Sequence, residues 1–260
     1  MNINDEEKII FLGTGGARAM ISTQLLASGG TWLSLNGTDI LIDPGPGSIV
    51  QVNKRKLKPE KLEAILISHR HLDHANDTSV MVEAMTYGGF RRHGYLFAPA
   101  DALDEEPVMF SYLKKSLDGI EVLKEGASYQ VGQVHFSTPV RHIHPVETYG
   151  FLFETGGHRF AYIADTRYFD GLSVYRSDLL IINMVFMRPH PTVDHLAVSD
   201  VKTILEELKP RVAIVTHFGM GVFRAHPWEV ARQLSDETGI RVIAARDGMS
   251  FDLRELDEIS

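Results

Sequence analysis

The stretch Ile67-Ser68-His69-Arg70-His71-Leu72-Asp73-His74 follows an apolar run and places three histidines and one aspartate within six residues. In an extended segment, His69 and His71 point their side chains the same way, because they are two residues apart. This arrangement would suit a metal ion held by the two histidines. Asp73 and His74 come where we expect the chain to turn, so they can face a second metal ion beside the first. A loop that gathers histidines by chance is the alternative, and the rest of the sequence helps to decide between the two.

The composition limits which metal ligands are available. The chain has 260 residues, 44% of them hydrophobic, and no linker-like or repetitive tract, so we predict a single domain over residues 1–260. It contains no cysteine, which excludes disulfides and thiolate metal sites. Any metal must therefore be held by histidines and carboxylates, and such ligands suit Zn, Mn, Fe, Co or Ni.

Charge and hydropathy bear on partners and location. A formal net charge of −8 argues against broad non-specific binding of nucleic acid. Two basic segments, 53–58 and 90–94, could form a local nucleic-acid-binding patch, but we interpret them as solvated surface charge. No apolar run approaches the roughly 20 residues that span a bilayer. The first ten residues lack the basic and apolar regions of a secretory signal, so a cytoplasmic location is expected.

Strands and helices are predicted to alternate in a pattern that indicates an α/β (α+β) protein. Asn36-Gly37 is a favoured pair for a tight hairpin turn. Strands are predicted over 9–12, 31–35, 39–43, 62–67, 95–98, 179–183 and 212–216, with short strands through 121–160 and at the end. Helices are predicted over 48–56, 77–87, part of 101–117, 199–208 and 227–238. Two sheets packed face to face, with helices on their outer faces, would fit this order.

Polar residues recur where predicted strands end, which is where ligands converge on a rigid scaffold. They are Asp43, His69, His71, Asp73, His74, His144, Asp165 and His217. A carboxylate from a distant part of the chain can bridge two ions about 3.5–4 Å apart, and Asp165 is the candidate. The turn Gly13-Thr14-Gly15-Gly16 lacks the Lys-Ser/Thr of a phosphate loop. We expect it to let backbone approach the site closely.

The sequence resembles the metallo-β-lactamase-fold superfamily, whose signature is His-x-His-x-Asp-His after a buried strand. All five superfamily motifs can be placed, in order, on the strand-end residues given above. The resemblance implies a four-layer αββα sandwich. By that resemblance His69, His71 and His144 hold one metal ion, Asp73, His74 and His217 hold the other, and Asp165 bridges them. Asp43 would orient a ligand histidine, or else simply cap its strand.

Two histidines compete for the third motif. His142 lies two residues before His144 and is an alternative ligand. We prefer His144, because "HPVETYGF" resembles the third motif of the tRNA 3′-processing branch, in which glycine and an aromatic residue follow the histidine at this spacing.

A more selective resemblance concerns the phosphodiesterase branch, which includes ribonuclease Z and cyclic-phosphate phosphodiesterases. It rests on "FLGTGGA", "HPVETYGFLFE", "YIADT" and "VTHFG". In ribonuclease Z a further histidine precedes the last ligand by 22 residues and assists departure of the leaving group. His195 precedes His217 by 22 residues, so His195 is predicted to donate a proton or contact phosphate, with Asp194 as a residue that could orient it. Asp73 and His195 are the predicted catalytic residues; a polar residue before a helix is the alternative for His195.

The predicted reaction is phosphodiester hydrolysis by water activated by two divalent ions. Zn is expected, with Mn, Fe or Ni as alternatives. Ribonuclease Z carries a His-Glu-Ala-Thr segment where this chain has "NMVFMRPHP", and no Gly-rich basic arm is present. A small-molecule or nucleotide-type diester is therefore favoured over tRNA, and no membrane partner is expected. The resemblance also implies a homodimer.

Two rival functions stay open at this stage. The same metal site would serve a hydrolase of lactones, thioesters, amides or sulfate esters, because a metal-bound hydroxide attacks any of them. A metal-binding module without catalysis belongs to a different class. The intact set of inferred ligands argues against it, since descendants that lose catalysis tend to lose ligands.

Overall fold

The computed structural model describes residues 7–104, 106–155 and 157–258, and its strands form two seven-stranded sheets. The strands of the first sheet are β1 Lys8–Phe11, β2 Thr31–Leu35, β3 Thr38–Ile42, β4 Leu62–Leu66, β5 Tyr95–Ala98, β6 Gly119–Val122 and β14 Ser250–Asp252. Their order across the sheet is β14-β1-β2-β3-β4-β5-β6. The last strand, β14, therefore pairs with the first strand, β1, and forms one edge of the sheet.

The second sheet is built from the second half of the chain. Its strands are β7 Ala127–Val131, β8 Val134–Thr138, β9 Phe151–Thr155, β10 His158–Ile163, β11 Leu179–Asn183, β12 Val212–Thr216 and β13 Arg241–Ala244. They lie in the order β13-β12-β11-β10-β9-β8-β7.

Each sheet changes from antiparallel to parallel pairing part-way across. In the first sheet β1, β2 and β3 pair antiparallel, and β3 to β6 pair parallel. In the second sheet β7 to β10 pair antiparallel, and β10 to β13 pair parallel. The carboxyl ends of parallel strands meet at one edge of a sheet, so the loops after β3 and β4, and those after β10, β11 and β12, are grouped together.

The described part of the chain contains seven α-helices. They are α1 Ala17–Thr23, α2 Ser48–Lys54, α3 Leu72–Ala75, α4 Thr78–Met85, α5 Val198–Leu208, α6 Met220–Arg224 and α7 Pro227–Thr238. Of these, α2, α4, α5 and α7 pack on the outer faces of the two sheets. In that part of the chain no helix is long and apolar enough to cross a membrane.

The apolar side chains form three buried layers. Strand residues such as Leu33, Phe153 and Ile214 fill the space between the sheets. The outer face of the first sheet packs against α2 and α4, and that of the second packs against α5 and α7. Because strands buried on both faces need apolar residues throughout, β4 and β12 read as nearly continuous apolar runs. The predicted αββα sandwich is confirmed; the single domain over 1–260 stays a prediction.

Most predicted elements are present within a few residues, and one is wrong. The segment 101–117 forms no α-helix in its described residues, which exclude Glu105; it contains short 3₁₀ turns at Ala100–Ala102 and Ser111–Ser116. Pro107 lies between these turns, and proline lacks the amide hydrogen that a continuing helix needs. Three short helices, α1, α3 and α6, have no counterpart in the prediction, because they contain too few turns for a clear periodicity.

Candidate metal centre

All the strand-end residues except Asp43 come together in one cluster, at the carboxyl ends of strands from both sheets. Their ligand atoms form three groups, and within each group all atoms lie within 4.8 Å of one another. The groups are His69, His71 and His144; Asp73, His74 and His217; and His69, His74 and Asp165. The first two groups are the two predicted ligand sets, and the third connects them through Asp165.

The local backbone explains why one short stretch serves two groups. After β4 the chain bends at Ser68 and is extended at His71, whose φ and ψ are −62° and 147°. Helix α3 then begins at Leu72, so Asp73 and His74 lie on its first turn. The turn separates the two pairs of side chains, as the sequence predicted.

Asp165 lies centrally among the histidines. One carboxylate oxygen is 3.3 Å from Nε2 of His74 and 3.8 Å from Nε2 of His69. The other is 3.4 Å from Nδ1 of His217. This carboxylate therefore faces both sets of donors, which is the position that a bridging ligand requires.

Asp43 anchors the loop that carries the ligands. Its carboxylate accepts hydrogen bonds of 2.7 Å from both the amide and the hydroxyl of Ser68. It also accepts one of 2.9 Å from Nδ1 of His74 and one of 3.2 Å from the hydroxyl of Tyr162. Since Nδ1 of His74 is engaged in this way, Nε2 is left to face Asp165. These contacts support Asp43 as the residue that orients a ligand histidine.

The structure distinguishes between the two histidines of the third motif. His144 donates from Nδ1 to the backbone carbonyl of Asp194 at 2.9 Å, and its Nε2 lies 3.1 Å from Nδ1 of His71. The ring of His142 is instead occupied by the hydroxyl of Tyr175, 3.0 Å from Nε2, and by a backbone carbonyl. The geometry therefore favours His144 as the ligand.

His195 lies at the rim of the same cluster. Its Nδ1 is 3.4 Å from a carboxylate oxygen of Asp165, and its side chain is 13% exposed. Its ring centre lies 5.2 Å from that of His144. The carboxylate of Asp194 is paired with Arg167 at 2.6 Å, so Asp194 does not orient His195 through that group.

Comparison with known proteins agrees with this architecture. A family model described as "Beta-lactamase superfamily domain" matches residues 38–218, which is more than half of the chain. The chain belongs to the beta-lactamase superfamily. It is therefore a metallo-β-lactamase-fold hydrolase by family, and the resemblance inferred from the motifs is confirmed.

Individual relatives extend the match over almost the whole chain. The protein MJ1374 of Methanocaldococcus jannaschii is 32% identical over 260 residues, which cover 95% of each chain. Ribonuclease Z of Thermococcus sibiricus is 35% identical over 92 residues, which cover 35% of this chain and 29% of that protein.

Two solved structures show the same fold. The metallo-beta-lactamase fold protein YhfI from Bacillus subtilis superposes with a TM-score of 0.80 at 21% identity, covering 95% of this chain and 100% of that one. A diphosphatase from the PhnP family superposes with a TM-score of 0.72 at 22% identity, covering 95% and 97%.

Burial favours the neutral form of three histidines in the candidate metal centre. It lowers the pKa of His69 well below its usual value, lowers that of His71, and lowers that of His144 to about 4. A neutral imidazole offers the lone pair that a metal ion needs. These side chains are therefore ready to bind an ion near neutral pH.

The charged members of the site depend on one another. Burial alone would raise the pKa of Asp73 and of Asp165, but the neighbouring histidines outweigh it and hold both carboxyl groups ionised. Burial alone would lower the pKa of His74, but Asp165, Asp73 and Asp43 outweigh it and raise the pKa well above its usual value. A metal ion that binds His74 would therefore compete with a proton for its ring nitrogen.

The donor atoms fit a divalent metal ion. Among the described residues, buried ring nitrogens of His69, His74 and His217 have no hydrogen-bond partner. Such an atom costs about 1–3 kcal/mol when it is left unpaired. A metal ion would satisfy these nitrogens, and imidazoles with carboxylates suit Zn, Mn, Fe or Ni. The assignment of each ligand to an ion stays a prediction.

Two strand ends are bent sharply to aim their side chains. Asp43 and His217 have positive φ values of 52° and 60°, which non-glycine residues seldom adopt. Such strain is concentrated at functional sites, where the surrounding structure enforces it. The Gly-rich turn also reaches the site, because a Cβ on Gly16 would lie 2.2 Å from Nδ1 of His217. The close backbone approach expected of this turn is observed.

Some residues of the site were not found from the sequence. Asn183 donates to Asp165 at 2.9 Å, and its position at the end of β11 was a signal that could have found it. Tyr162 lies inside a strand, 119 residues from its partner Asp43, and carries no sequence signal. Ser68 lies inside the quoted stretch, but only the fold shows that it anchors to Asp43.

Proposed function

We propose that this protein is a metal-dependent phosphodiesterase with two divalent ions. The observation that carries the proposal is that His195 lies against Asp165, beside two adjoining donor sets. The names of two proteins similar to it, a ribonuclease Z and a diphosphatase, denote enzymes that break bonds to phosphate. A small-molecule or nucleotide-type diester is the proposed substrate class, with tRNA as the less favoured alternative.

We assign the residues to the two ions as the resemblance implies. One ion would be held by His69, His71 and His144, the other by Asp73, His74 and His217, with Asp165 shared. Zn is the expected metal, with Mn, Fe or Ni as alternatives. Such ions supply an acidified water as nucleophile and positive charge that neutralises a phosphate oxygen. Asp73 is proposed as catalytic because it would hold an ion at this centre, and a 3.1 Å hydrogen bond from the amide of Ala17 orients its carboxylate.

His195 is proposed to protonate the leaving oxygen. Its Nδ1 faces Asp165, which leaves Nε2 for the substrate. Burial lowers the pKa of His195 in the metal-free chain, whereas the negative charge of a bound diester favours the protonated form. An imidazolium near the leaving group is an effective acid around neutral pH.

The test compares two diesters with different leaving groups. Protein reconstituted with Zn or Mn is assayed with bis(p-nitrophenyl) phosphate, which has a good leaving group, and with a dinucleotide, which has a poor one. His195→Ala should reduce turnover of the dinucleotide about 10²–10⁴-fold and that of the nitrophenyl diester much less. The matched control is His190→Ala, because His190 is exposed on the same loop.

Other outcomes would point elsewhere. Equal loss on both diesters would show that His195 contacts phosphate without donating a proton. Turnover of p-nitrophenyl acetate alone would favour the carboxyl-ester rivals. Two bound ions with no turnover of any ester would favour a non-catalytic metal-binding module.

A further inference from the structure

The loop between β11 and α5 carries His195 and also contacts His144 through the residue before it, Asp194. The backbone carbonyl of Asp194 accepts a hydrogen bond from Nδ1 of His144 at 2.9 Å. The next residue, His195, places its Nδ1 3.4 Å from Asp165. The position of Asp194 therefore determines where a proposed ligand and the proposed acid both lie.

Arg167 fixes that position from another loop. Its Nε donates to a carboxylate oxygen of Asp194 at 2.6 Å. Its own amide donates to the carbonyl of Ile143 at 3.1 Å, which ties the loop after β10 to the residue that precedes His144. Arg167 follows Asp165 by two residues, so it joins the three loops that carry Asp165, His144 and His195.

We propose that the ion pair between Arg167 and Asp194, here called the clamp, is a positioning device for the metal centre. The proposal rests on the proposed function, because it assumes that His144 is a metal ligand. With its Nδ1–H bonded to a carbonyl, a histidine is fixed in one tautomer and presents Nε2 to the ion. The clamp keeps that carbonyl in place and holds His195 beside Asp165.

The clamp differs in its consequences from an ordinary surface ion pair. The side chains of Arg167 and Asp194 are 49% and 20% exposed, and exposed pairs contribute little to stability. Its effect is therefore expected on metal binding rather than on folding. Arg159 and Glu154 form a comparable pair at 3.8 Å on the β9–β10 hairpin, and no ligand depends on it.

The experiment measures zinc affinity of the full chain by competition with a chromophoric chelator. Arg167→Ala and Asp194→Ala should each weaken one of two zinc sites about 10–100-fold and leave the other unchanged. The double variant should be no weaker than either single variant, because both break the same contact. Arg167→Lys should restore part of the lost affinity, since it restores the charge.

Controls separate positioning from general damage. The control variant Arg159→Ala should bind zinc as the wild type does, and all variants should unfold near the wild-type temperature when metal-free. Wild-type affinity in Arg167→Ala would overturn the clamp, and so would additive losses in the double variant or no recovery with lysine. A wild-type chain that binds two ions but turns over no diester would overturn the proposed function alone. A wild-type chain that binds no zinc would overturn both.

Discussion

At Gly16 the metal centre leaves no room for a side chain larger than the hydrogen atom of glycine. Its φ is −129°, so alanine would fit the backbone, but a Cβ would lie 2.2 Å from Nδ1 of His217. We expect Gly16→Ala to displace that ring and weaken the zinc site of Asp73, His74 and His217 by about 10–100-fold, as loss of ligand orientation does. Competition with a chelator measures the affinity.

A second glycine provides the control for that substitution. Gly221 lies in α6, where the nearest atom to an added Cβ is 3.7 Å away on Met187. Gly221→Ala should leave zinc affinity unchanged. Equal zinc affinity in both alanine variants would show that His217 tolerates displacement or does not bind metal.

At this scale the sequence predicts the ligands far better than the residues that support them. His69, His71, Asp73 and His74 are neighbours in the chain, so their spacing alone suggests a shared site. Arg167 and Asp194 are 27 residues apart and meet only because three loops fold onto one another. Contacts of that kind depend on the register of whole sheets, which single-residue patterns do not encode.

Among the connecting elements, the loop after β13 fastens the Gly-rich turn in place. One carboxylate oxygen of Asp247 accepts hydrogen bonds of 2.9 and 2.8 Å from the amide and hydroxyl of Thr14. The other accepts one of 2.8 Å from the amide of Ala27. Phe218, next to His217, in turn donates to the carbonyl of Thr14 at 2.7 Å.

Removal of this carboxylate should loosen the turn above the metal centre. Asp247→Ala is expected to lower the free energy of unfolding by about 1–3 kcal/mol, because three donors lose their acceptor. Urea denaturation measures the change. Asp236→Ala, which removes an exposed carboxylate on α7, should change it by less than about 0.5 kcal/mol. Equal changes in the two variants would contradict the role of Asp247.

The elements differ in how strongly the sequence specifies them. Helix α5 was predicted well because Val201, Ile204, Leu205 and Leu208 repeat on one face, and all four are buried. The hairpin of β2 and β3 was predicted from Asn36-Gly37, whose φ values of 48° and 73° are those such a turn requires. The segment around Pro107 carries apolar residues, but the proline interrupts any helical period, so the α-helix expected there does not form.

Across the whole molecule, parallel pairing explains why distant residues share a site. Asp43 and His69 follow neighbouring parallel strands of one sheet, whereas Asp165 and His217 follow strands of the parallel part of the other. The sequence suggested two facing sheets, but not that their parallel edges meet. Packing between the sheets decides this, through apolar side chains that are not distinctive individually.

Since the ligands come from both sheets, metal should stabilise the entire fold. A ligand present at a thousand times its Kd adds about 4 kcal/mol for one site. Removing zinc with a chelator should therefore lower Tm by at least about 8 °C, measured by calorimetry.

The stabilisation by zinc should weaken as pH falls, because the raised pKa of His74 means that zinc competes with a proton for its ring nitrogen. His217→Ala should lose part of this stabilisation, whereas His195→Ala should keep it. A Tm that is insensitive to the chelator would contradict a metal centre shared by the two sheets.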